Sequence, residues 1–192
     1  FLIFIVILGV ESASKTASML RRDRRVKELE QFALNDTMTG LYNRNAYNYY
    51  VKSAPDIADT MIVTFDLNNL KRVNDTLGHE MGDRYIESFS AILAGVQNER
   101  ISAYRIGGDE FCVILEKTNA VEIHQILDSL ERKINVYNEK NNIKISYAKG
   151  YEISTREHYY LMEELTKRAD SRMYENKRLM KGKRLDGRRL NV

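Results

Sequence analysis

The sequence contains very little cysteine, histidine or proline. Its 192 residues include one cysteine, three histidines and one proline. The single thiol, Cys112, excludes an internal disulfide, and no Cys/His cluster has the spacing of a zinc site. A disulfide-stapled secreted domain and a zinc module are therefore both excluded, and a reducing cytoplasm fits the composition. We expect Cys112 to be a small buried apolar residue in a strand.

Long apolar runs are also scarce, and the only one lies at the start of the chain. Residues 1–10 are apolar apart from one glycine, and the run is too short to cross a bilayer. An arginine-rich segment, residues 21–25, follows it, as the positive-inside rule requires. We expect residues 1–12 to be the end of a transmembrane helix in the inner (cytoplasmic) membrane, with the rest of the chain in the cytoplasm. The alternative is a buried or membrane-surface apolar segment of a soluble protein; a cleaved signal peptide fits less well because no charged segment precedes the run.

A linker helix is predicted over residues 13–35. Ser14 to Leu34 contains no glycine or proline, and Met19, Val26 and Ala33 recur every seven residues. This weak heptad favours a short parallel coiled coil between two copies of the chain. The alternative is an amphipathic helix packed on its own domain.

The folded domain is predicted over residues 36–184, and residues 185–192 form a basic tail. The pattern indicates an α/β (α+β) fold with the order β-α-α-β-β-α-β and a closing helix. Its central sheet should be mixed, mainly antiparallel and covered by helices, with the long N-terminal helix before it. Apolar spacing predicts helices over 44–52, 82–94, 120–139 and 160–178, and strands over 60–65, 101–106, 111–115 and 143–153.

Positive charge is concentrated near the C-terminus. Residues 167–189 hold ten Lys and Arg against three acids, in a chain with a net charge of +3. Such a segment can bind nucleic acid. No interleaved aromatic residues support that function, and the solvated face of a last helix is the simpler interpretation. We therefore expect no nucleic-acid partner.

Two acids follow two glycines at the tip of a predicted hairpin. Alternating apolar runs flank Gly107-Gly108-Asp109-Glu110, so the four residues form a tight turn between strands. Glycine lacks a Cβ and lets a ligand approach the backbone. Adjacent carboxylates on such a turn suit a hard cation. A solvated hairpin turn is the alternative.

A third acid, Asp66, ends the predicted strand 60–65. A carboxylate at the carboxyl end of a buried strand lies where α/β sheets bind ligands. If this strand neighbours the hairpin, Asp66 and the turn acids converge, and unpaired carboxylates at that distance would repel each other. We therefore expect cations between them, as in phosphate chemistry with Mg²⁺.

With these residues in view, the chain resembles the GGDEF domain family, the diguanylate cyclases, over roughly residues 35 to 184. Five ordered sequence blocks carry the resemblance. They are residues 36–44 (DTMTGLYNR), 66–75 (DLNNLKRVND), 78–83 (GHEMGD) and 105–111 (RIGGDEF), with Ala169-Asp170, Met173-Tyr174 and Lys177 in the last helix. The resemblance implies the nucleotidyl-cyclase or polymerase-palm-like fold of that family.

The resemblance also implies a ligand set. Asp66, the Leu67 carbonyl and Asp109 would hold Mg²⁺ or Mn²⁺, with Glu110 as a further ligand or proton acceptor. The remaining roles concern GTP. Phosphate would contact the backbone N–H groups of Asn69 and Leu70 and the side chains of Lys71 and Lys177; guanine would contact Asn74 and Asp83; and Gly107 and Gly108 would leave room for the substrate.

The reaction implied by the resemblance is condensation of two GTP into cyclic di-GMP with release of two pyrophosphates. Either Asp109 or Glu110 would help to remove the hydroxyl proton. Because one domain of this family binds one GTP, the catalytic unit should be a two-fold homodimer. Two alternatives stay open: a silent GGDEF module that binds GTP or a partner, and a membrane-signalling adaptor that carries the domain as a passenger.

Three departures from the family pattern are visible. Asn98 and Ile101 stand where many relatives carry the Arg and Asp of a product-inhibition site, so we expect weak or absent inhibition there. Asn68 and Asn69 replace an acid and an aromatic residue, which makes the metal pocket less negative. Residues 148–150 (AKG) replace a Ser-x-Gly pattern.

Overall fold

The computed structural model describes residues 15, 19–22, 25, 32–54 and 57–189. The predicted membrane segment 1–12 and most of the linker helix 13–35, with its heptad, lie outside the described residues. Within the described ranges, no helix is both long and apolar enough to cross a membrane. The predicted boundaries of the folded domain and the tail stay predictions.

Five helices and four strands follow one another in the described part of the domain. Short polar caps begin two of the helices: Asn43 Oδ1 accepts hydrogen bonds from the amides of Asn45 and Ala46, and Asn119 caps the fourth helix in the same way. The elements are α1 (Arg44–Ser53), β1 (Thr60–Leu67), α2 (Leu70–Leu77), α3 (His79–Ala94), β2 (Ile101–Arg105), β3 (Glu110–Leu115), α4 (Ala120–Lys140), β4 (Tyr147–Ser154) and α5 (Met162–Arg189).

The four strands form one antiparallel sheet in the order β2-β3-β1-β4. β1 lies between β3 and β4, and all eight of its residues are buried, as its continuous apolar run suggests. Side chains alternate along a strand, so Val63, Phe65 and Leu67 point to one face of the sheet. Ile62, Thr64 and Asp66 point to the other face.

Helices cover both faces of the sheet. Phe65, Phe89 and Phe111 form the centre of the core beneath α3 and α4, with edge-to-face ring contacts at 5.1–5.7 Å. On the opposite face, α1 and α5 bury a smaller cluster that includes Ile62 and Leu165. The carboxylate of Asp66 belongs to this second face.

The predicted fold class is confirmed, and several predicted boundaries are wrong by a few residues. β4 begins at Tyr147 rather than at residue 143. The side chain of Asn138, in α4, donates to the Ile145 carbonyl at 2.9 Å and accepts from the Ile145 amide at 2.7 Å. These two hydrogen bonds hold the Ile145 backbone against α4, so that it does not pair with a strand. The second predicted helix begins at His79 rather than residue 82, just after Gly78 with φ +86°. The closing helix continues to Arg189.

Candidate functional site

Asp66 and Glu110 lie directly opposite each other on neighbouring antiparallel strands. Opposed residues of such a pair place their side chains on the same face, with Cβ atoms about 5 Å apart. Asp66 is only 6% exposed. The two acids that the sequence placed near each other therefore meet on the face that α5 covers.

The turn 106–110 is fixed by its own backbone and by Arg105. The amides of Ile106 and Gly107 both donate to the carbonyl of Glu110, at 2.9 and 3.2 Å. Arg105 donates to the carbonyls of Gly107 and Gly108, at 3.2 and 3.0 Å. A Cβ on Gly107 would lie 2.5 Å from the Glu110 carboxylate, so this position requires glycine for the acid to fold against the turn.

The turn is also tied to β1 through Asp109. The Leu67 amide donates to the Asp109 carbonyl at 2.8 Å, just beyond the Asp66–Glu110 pair. Asp109 and Glu110 are both partly exposed. The end of β1 and the hairpin turn therefore form one rigid unit, with oxygen atoms at its surface.

Arg105 reaches a second partner that sequence analysis did not assign. Its guanidinium contacts both carboxylate oxygens of Asp36, at 3.2 and 3.4 Å, and that carboxylate also accepts from the amide and hydroxyl of Thr39. Burial acts to raise the pKa of Asp36, but the hydrogen bonds from Thr39 and Arg105 outweigh it and the pKa lies below its ordinary value. The only sequence signal was the presence of both residues in family blocks.

Lys177 forms an ion pair with Asp66. Its ammonium lies 2.6 and 2.5 Å from the two carboxylate oxygens, across 111 positions of sequence. The helix that carries Lys177 approaches β4 very closely at Gly150, where a Cβ would overlap the backbone of Ala169 and Met173. The family resemblance implied a phosphate contact for Lys177, and nothing in the sequence predicted this ion pair.

The four residues predicted to hold a metal are only partly brought together. Asp66 and Glu110 are opposed and the Asp109 carbonyl adjoins Leu67, yet no set of three His, Cys, Asp or Glu side chains in the described ranges is arranged as a metal site. The donor chemistry nevertheless suits Mg²⁺ or Mn²⁺, since all the atoms concerned are oxygens. A cationic group, the Lys177 ammonium, already lies on the Asp66 oxygens.

The two residues predicted to recognise guanine lie on adjacent helices. Asn74 of α2 rests on Gly82 of α3, where any Cβ would overlap the Asn74 side chain. The Asn74 Oδ1 atom is buried and has no hydrogen-bond partner. Asp83, the next residue after Gly82, is exposed. The contact between Asn74 and Gly82 therefore brings a buried acceptor close to the residue that precedes an exposed carboxylate.

The predicted phosphate-binding helix start is preceded by a well-anchored loop. α2 begins at Leu70 after Asn69, which has a left-handed φ of 66°. Asn68 is buried; its amide nitrogen donates to the Ser146 hydroxyl at 3.2 Å and its backbone N–H to the Ser146 carbonyl at 2.7 Å. Asn68 therefore acts as a structural donor here, a function that an acid at this position would not serve. Lys71 is exposed one residue into the helix.

A further carboxylate, Asp170 of α5, belongs to the same face of the sheet. Desolvation raises its pKa, a hydrogen bond with Thr64 lowers it, and the charge of Glu110 raises it again, so that the pKa lies above its ordinary value. Asp170 belongs to the closing-helix block of the family pattern, which implied no role for it.

Asn98 and Ile101, which replace the product-inhibition pair, close the turn that leads into β2, whose first residue is Ile101. Their backbones exchange hydrogen bonds of 3.1 and 3.2 Å, and Asn98 Oδ1 accepts from the Arg100 amide. Ile101 is 8% exposed and packs into the core. Neither side chain offers a charged group at this turn.

Comparison with known proteins identifies relatives of the whole domain. The family described as "Diguanylate cyclase, GGDEF domain" matches residues 33–183. Diguanylate cyclase DgcN of Escherichia coli is 32% identical over 170 residues, covering 82% of this chain and 40% of DgcN. A Streptomyces griseus protein described as uncharacterized, in the hutH 5′ region, is 38% identical over 109 residues, covering 53% of this chain and 45% of that protein. The chain thus spans less than half the length of these two relatives.

A solved structure shares the fold. The coiled coil and GGDEF domain of DgcB from Caulobacter crescentus, in complex with c-di-GMP, superposes with a TM-score of 0.75 at 22% identity, covering 89% of this chain and 94% of that one. The strand order, the turn 107–110 and the family match over 33–183 together lead to one conclusion: the chain belongs to the GGDEF domain family of diguanylate cyclases.

Proposed function

We propose that this domain condenses two molecules of GTP into cyclic di-GMP and releases two pyrophosphates. The observation that carries the proposal is the pairing of Asp66 with Glu110 on one face of the sheet, with the Lys177 ammonium beside them. Family membership supports the same reaction.

The phosphate end of the substrate would lie between α2, α5 and the hairpin turn. Lys71 and Lys177 would neutralise phosphate oxygens as point charges, and the amides that open α2 would donate to them. Asp66, the Leu67 carbonyl, Asp109 and Glu110 would hold Mg²⁺ or Mn²⁺. When bound, the metal supplies charge stabilisation at the phosphoryl oxygens and the leaving pyrophosphate.

The base end would lie against Asn74 and Asp83. The orphaned Asn74 Oδ1 supports a ligand that donates a hydrogen bond, because a buried acceptor without a partner costs about 1–3 kcal/mol. Guanine offers donors at N1 and N2 and an acceptor at O6, which one amide and one carboxylate complement. Adenine would set an acceptor against Asp83.

The reaction needs two domains in a two-fold arrangement. The 3′-hydroxyl of one GTP would attack the α-phosphorus of the other; the hydroxyl proton would pass to Asp109 or Glu110, and pyrophosphate would leave. Each domain would present one GTP, so the active species is a homodimer. A dilute sample should therefore lose specific activity as the dimer dissociates.

The location of the protein is a separate proposal. We expect residues 1–12 to attach the chain to the inner (cytoplasmic) membrane, with the cyclase domain on the cytoplasmic side. Fractionation of cells that make the chain would locate it, and recovery in the soluble fraction would contradict the attachment.

The test of the reaction is incubation of the full chain with GTP and Mg²⁺, followed by chromatography for cyclic di-GMP and pyrophosphate. Asp109→Ala should abolish product, whereas Glu122→Gln, which removes the carboxylate that contacts Arg100 at the opposite end of the hairpin, should not. Bound GTP without product would favour the silent GGDEF module, and neither binding nor product would favour the adaptor. Unchanged turnover in Asp109→Ala would remove Asp109 from the metal ligands.

A further inference from the structure

The contact between Lys177 and Asp66 occupies the atoms that a metal ion would use. The ammonium reaches both carboxylate oxygens, at 2.6 and 2.5 Å. The side chain of Asp66 is 9% exposed and that of Lys177 is 26% exposed. A carboxylate this buried is costly without a cationic partner, and Lys177 is the partner that the structure gives it.

The helix backbone around Lys177 is held on both sides. The neighbouring Asn176 accepts a hydrogen bond from the Lys149 amide of β4 at 3.1 Å, and the sulfur of Met180 lies 3.8 Å from the Asn68 amide nitrogen. Close packing at Gly150 fixes the same helix one turn earlier. The Lys177 ammonium can therefore change partners by rotating its four-carbon side chain, without movement of α5.

A divalent ion bound at Asp66 would compete with the Lys177 ammonium for the same oxygens. A metal ion that binds without a nucleotide must displace the ammonium, which then has only water as a hydrogen-bond partner. A metal that arrives with a nucleoside triphosphate brings phosphate oxygens, to which the displaced ammonium can bind within the reach of its own side chain. The free energy of the lost ion pair is recovered only in the second case.

We propose that Lys177 is a displaceable internal cation that blocks metal binding at Asp66 until a nucleoside triphosphate provides it with another partner. Lys177 thus makes the site select the metal–triphosphate complex over the free metal. The proposal rests on the proposed function for the identity of the nucleotide, and its first test does not need that function.

The first test measures Mn²⁺ binding to the full chain without nucleotide, by electron paramagnetic resonance. Lys177→Met removes the competing charge but keeps most of the length of the side chain. It should bind Mn²⁺ roughly tenfold more tightly, the equivalent of about 1.4 kcal/mol. Lys181→Met, one turn along the same helix and exposed, is the matched charge control and should change the affinity less than about twofold. Lys177→Arg keeps the positive charge and should stay near the wild type.

The second test repeats the titration with a GTP analogue that has a methylene bridge between the α- and β-phosphates. The sign should reverse: Lys177→Met should bind the Mn²⁺–analogue complex roughly tenfold more weakly, because the phosphate has lost a cation. Lys181→Met, carried through both titrations, separates ion exchange at Asp66 from a general change in charge, since a general loss of positive charge would also strengthen Mn²⁺ binding and weaken binding of the anionic complex.

Equal Mn²⁺ affinity in wild type and Lys177→Met, or an equal gain in Lys181→Met, would overturn the proposal. So would loss of Mn²⁺ binding in a folded Lys177→Met protein, judged by circular dichroism. Failure of the proposed function gives a different result: no cyclic di-GMP from the wild type, with the Mn²⁺ shift still present. An active cyclase without the Mn²⁺ shift would leave the function intact and remove only this inference.

Discussion

The two ends of the candidate nucleotide site differ in how far the protein satisfies its own polar groups. At the sheet end, Asp66 is paired with Lys177 and the turn 106–110 is closed by backbone and arginine hydrogen bonds. At the helix end, the Asn74 oxygen is buried without a partner and Asp83 is exposed. The sheet end is thus assembled by the fold, whereas the helix end keeps a buried acceptor that the proposed guanine base would satisfy.

The largest expected effect is at the sheet end. Asp66→Asn should lower cyclase activity by on the order of 10²–10³-fold, because the amide cannot replace a charged metal ligand. Stability should fall little, since the partly exposed Lys177 can return to water. Asp59→Asn, which changes an acid with φ 59° just before the same strand, is the control and should keep its activity. Steady-state kinetics and thermal melts of both variants test this, and retained activity in Asp66→Asn would contradict the assembled sheet end.

Next in size is an effect on stability from the packing behind Lys177. Gly150→Ala should destabilise the fold by roughly 3 kcal/mol, because the new methyl group meets the rigid backbone of α5 rather than a movable side chain. Tm should then fall by about 10 °C. Gly182→Ala, in an open stretch of the same helix, should instead stabilise slightly. Calorimetry on both variants gives the contrast, and equal Tm values would show that α5 shifts away from β4 freely.

A substitution at the helix end should change the affinity for ligand more than it changes the stability of the fold. Gly82→Ala drives a methyl group into the Asn74 side chain, which is movable, so the fold should tolerate it while the amide leaves its place. GTP affinity should fall about tenfold, the equivalent of one lost hydrogen bond to the base. Isothermal titration with GTP and with ITP, which lacks the 2-amino group, measures how strongly the site prefers guanine. The preference for GTP should shrink in the variant, and an unchanged preference would remove Asn74 from base recognition.

A smaller effect on stability is expected at the ion pair between Asp36 and Arg105. Because the pKa of Asp36 is lowered in the folded state, its contribution to stability is present above the ordinary Asp pKa of about 3.9 and is lost as the pH falls through the lower folded value. Asp36→Asn should therefore cost about 0.5 kcal/mol at pH 7, and the difference from wild type should shrink as the pH falls below the ordinary Asp pKa. Urea unfolding at pH 7 and in acid measures it. A difference that does not shrink in acid would assign the effect to packing.

The last prediction is that added product leaves the reaction rate unchanged. Cyclic di-GMP added at micromolar concentration should not inhibit through the turn at Asn98 and Ile101, since neither side chain can supply a charged contact. Initial-rate measurements with and without added product test this. Inhibition that persists in Asn98→Ala would locate a product site elsewhere.

Sequence patterns predicted the parts of the molecule whose conformation is set by residues close together in the chain. The alternation in residues 101–115 and the apolar run before Asp66 gave the hairpin, the central strand and the meeting of their acids. Contacts between distant residues were not predictable: the partner of Asp66 lies 111 residues away, and it is selected by how α5 crosses the sheet at Gly150. The late start of β4 was missed because a single side chain, Asn138, competes with strand pairing for the backbone of Ile145. The predicted ligand roles await the measurements above.

Arg105 joins Asp36, near the start of the domain, to the carbonyls of Gly107 and Gly108 in the turn. One guanidinium therefore holds the entry segment and the hairpin turn in one rigid body. If the domain works as the proposed homodimer, a movement of the preceding segment would displace each domain as a whole and leave the geometry of its site unchanged.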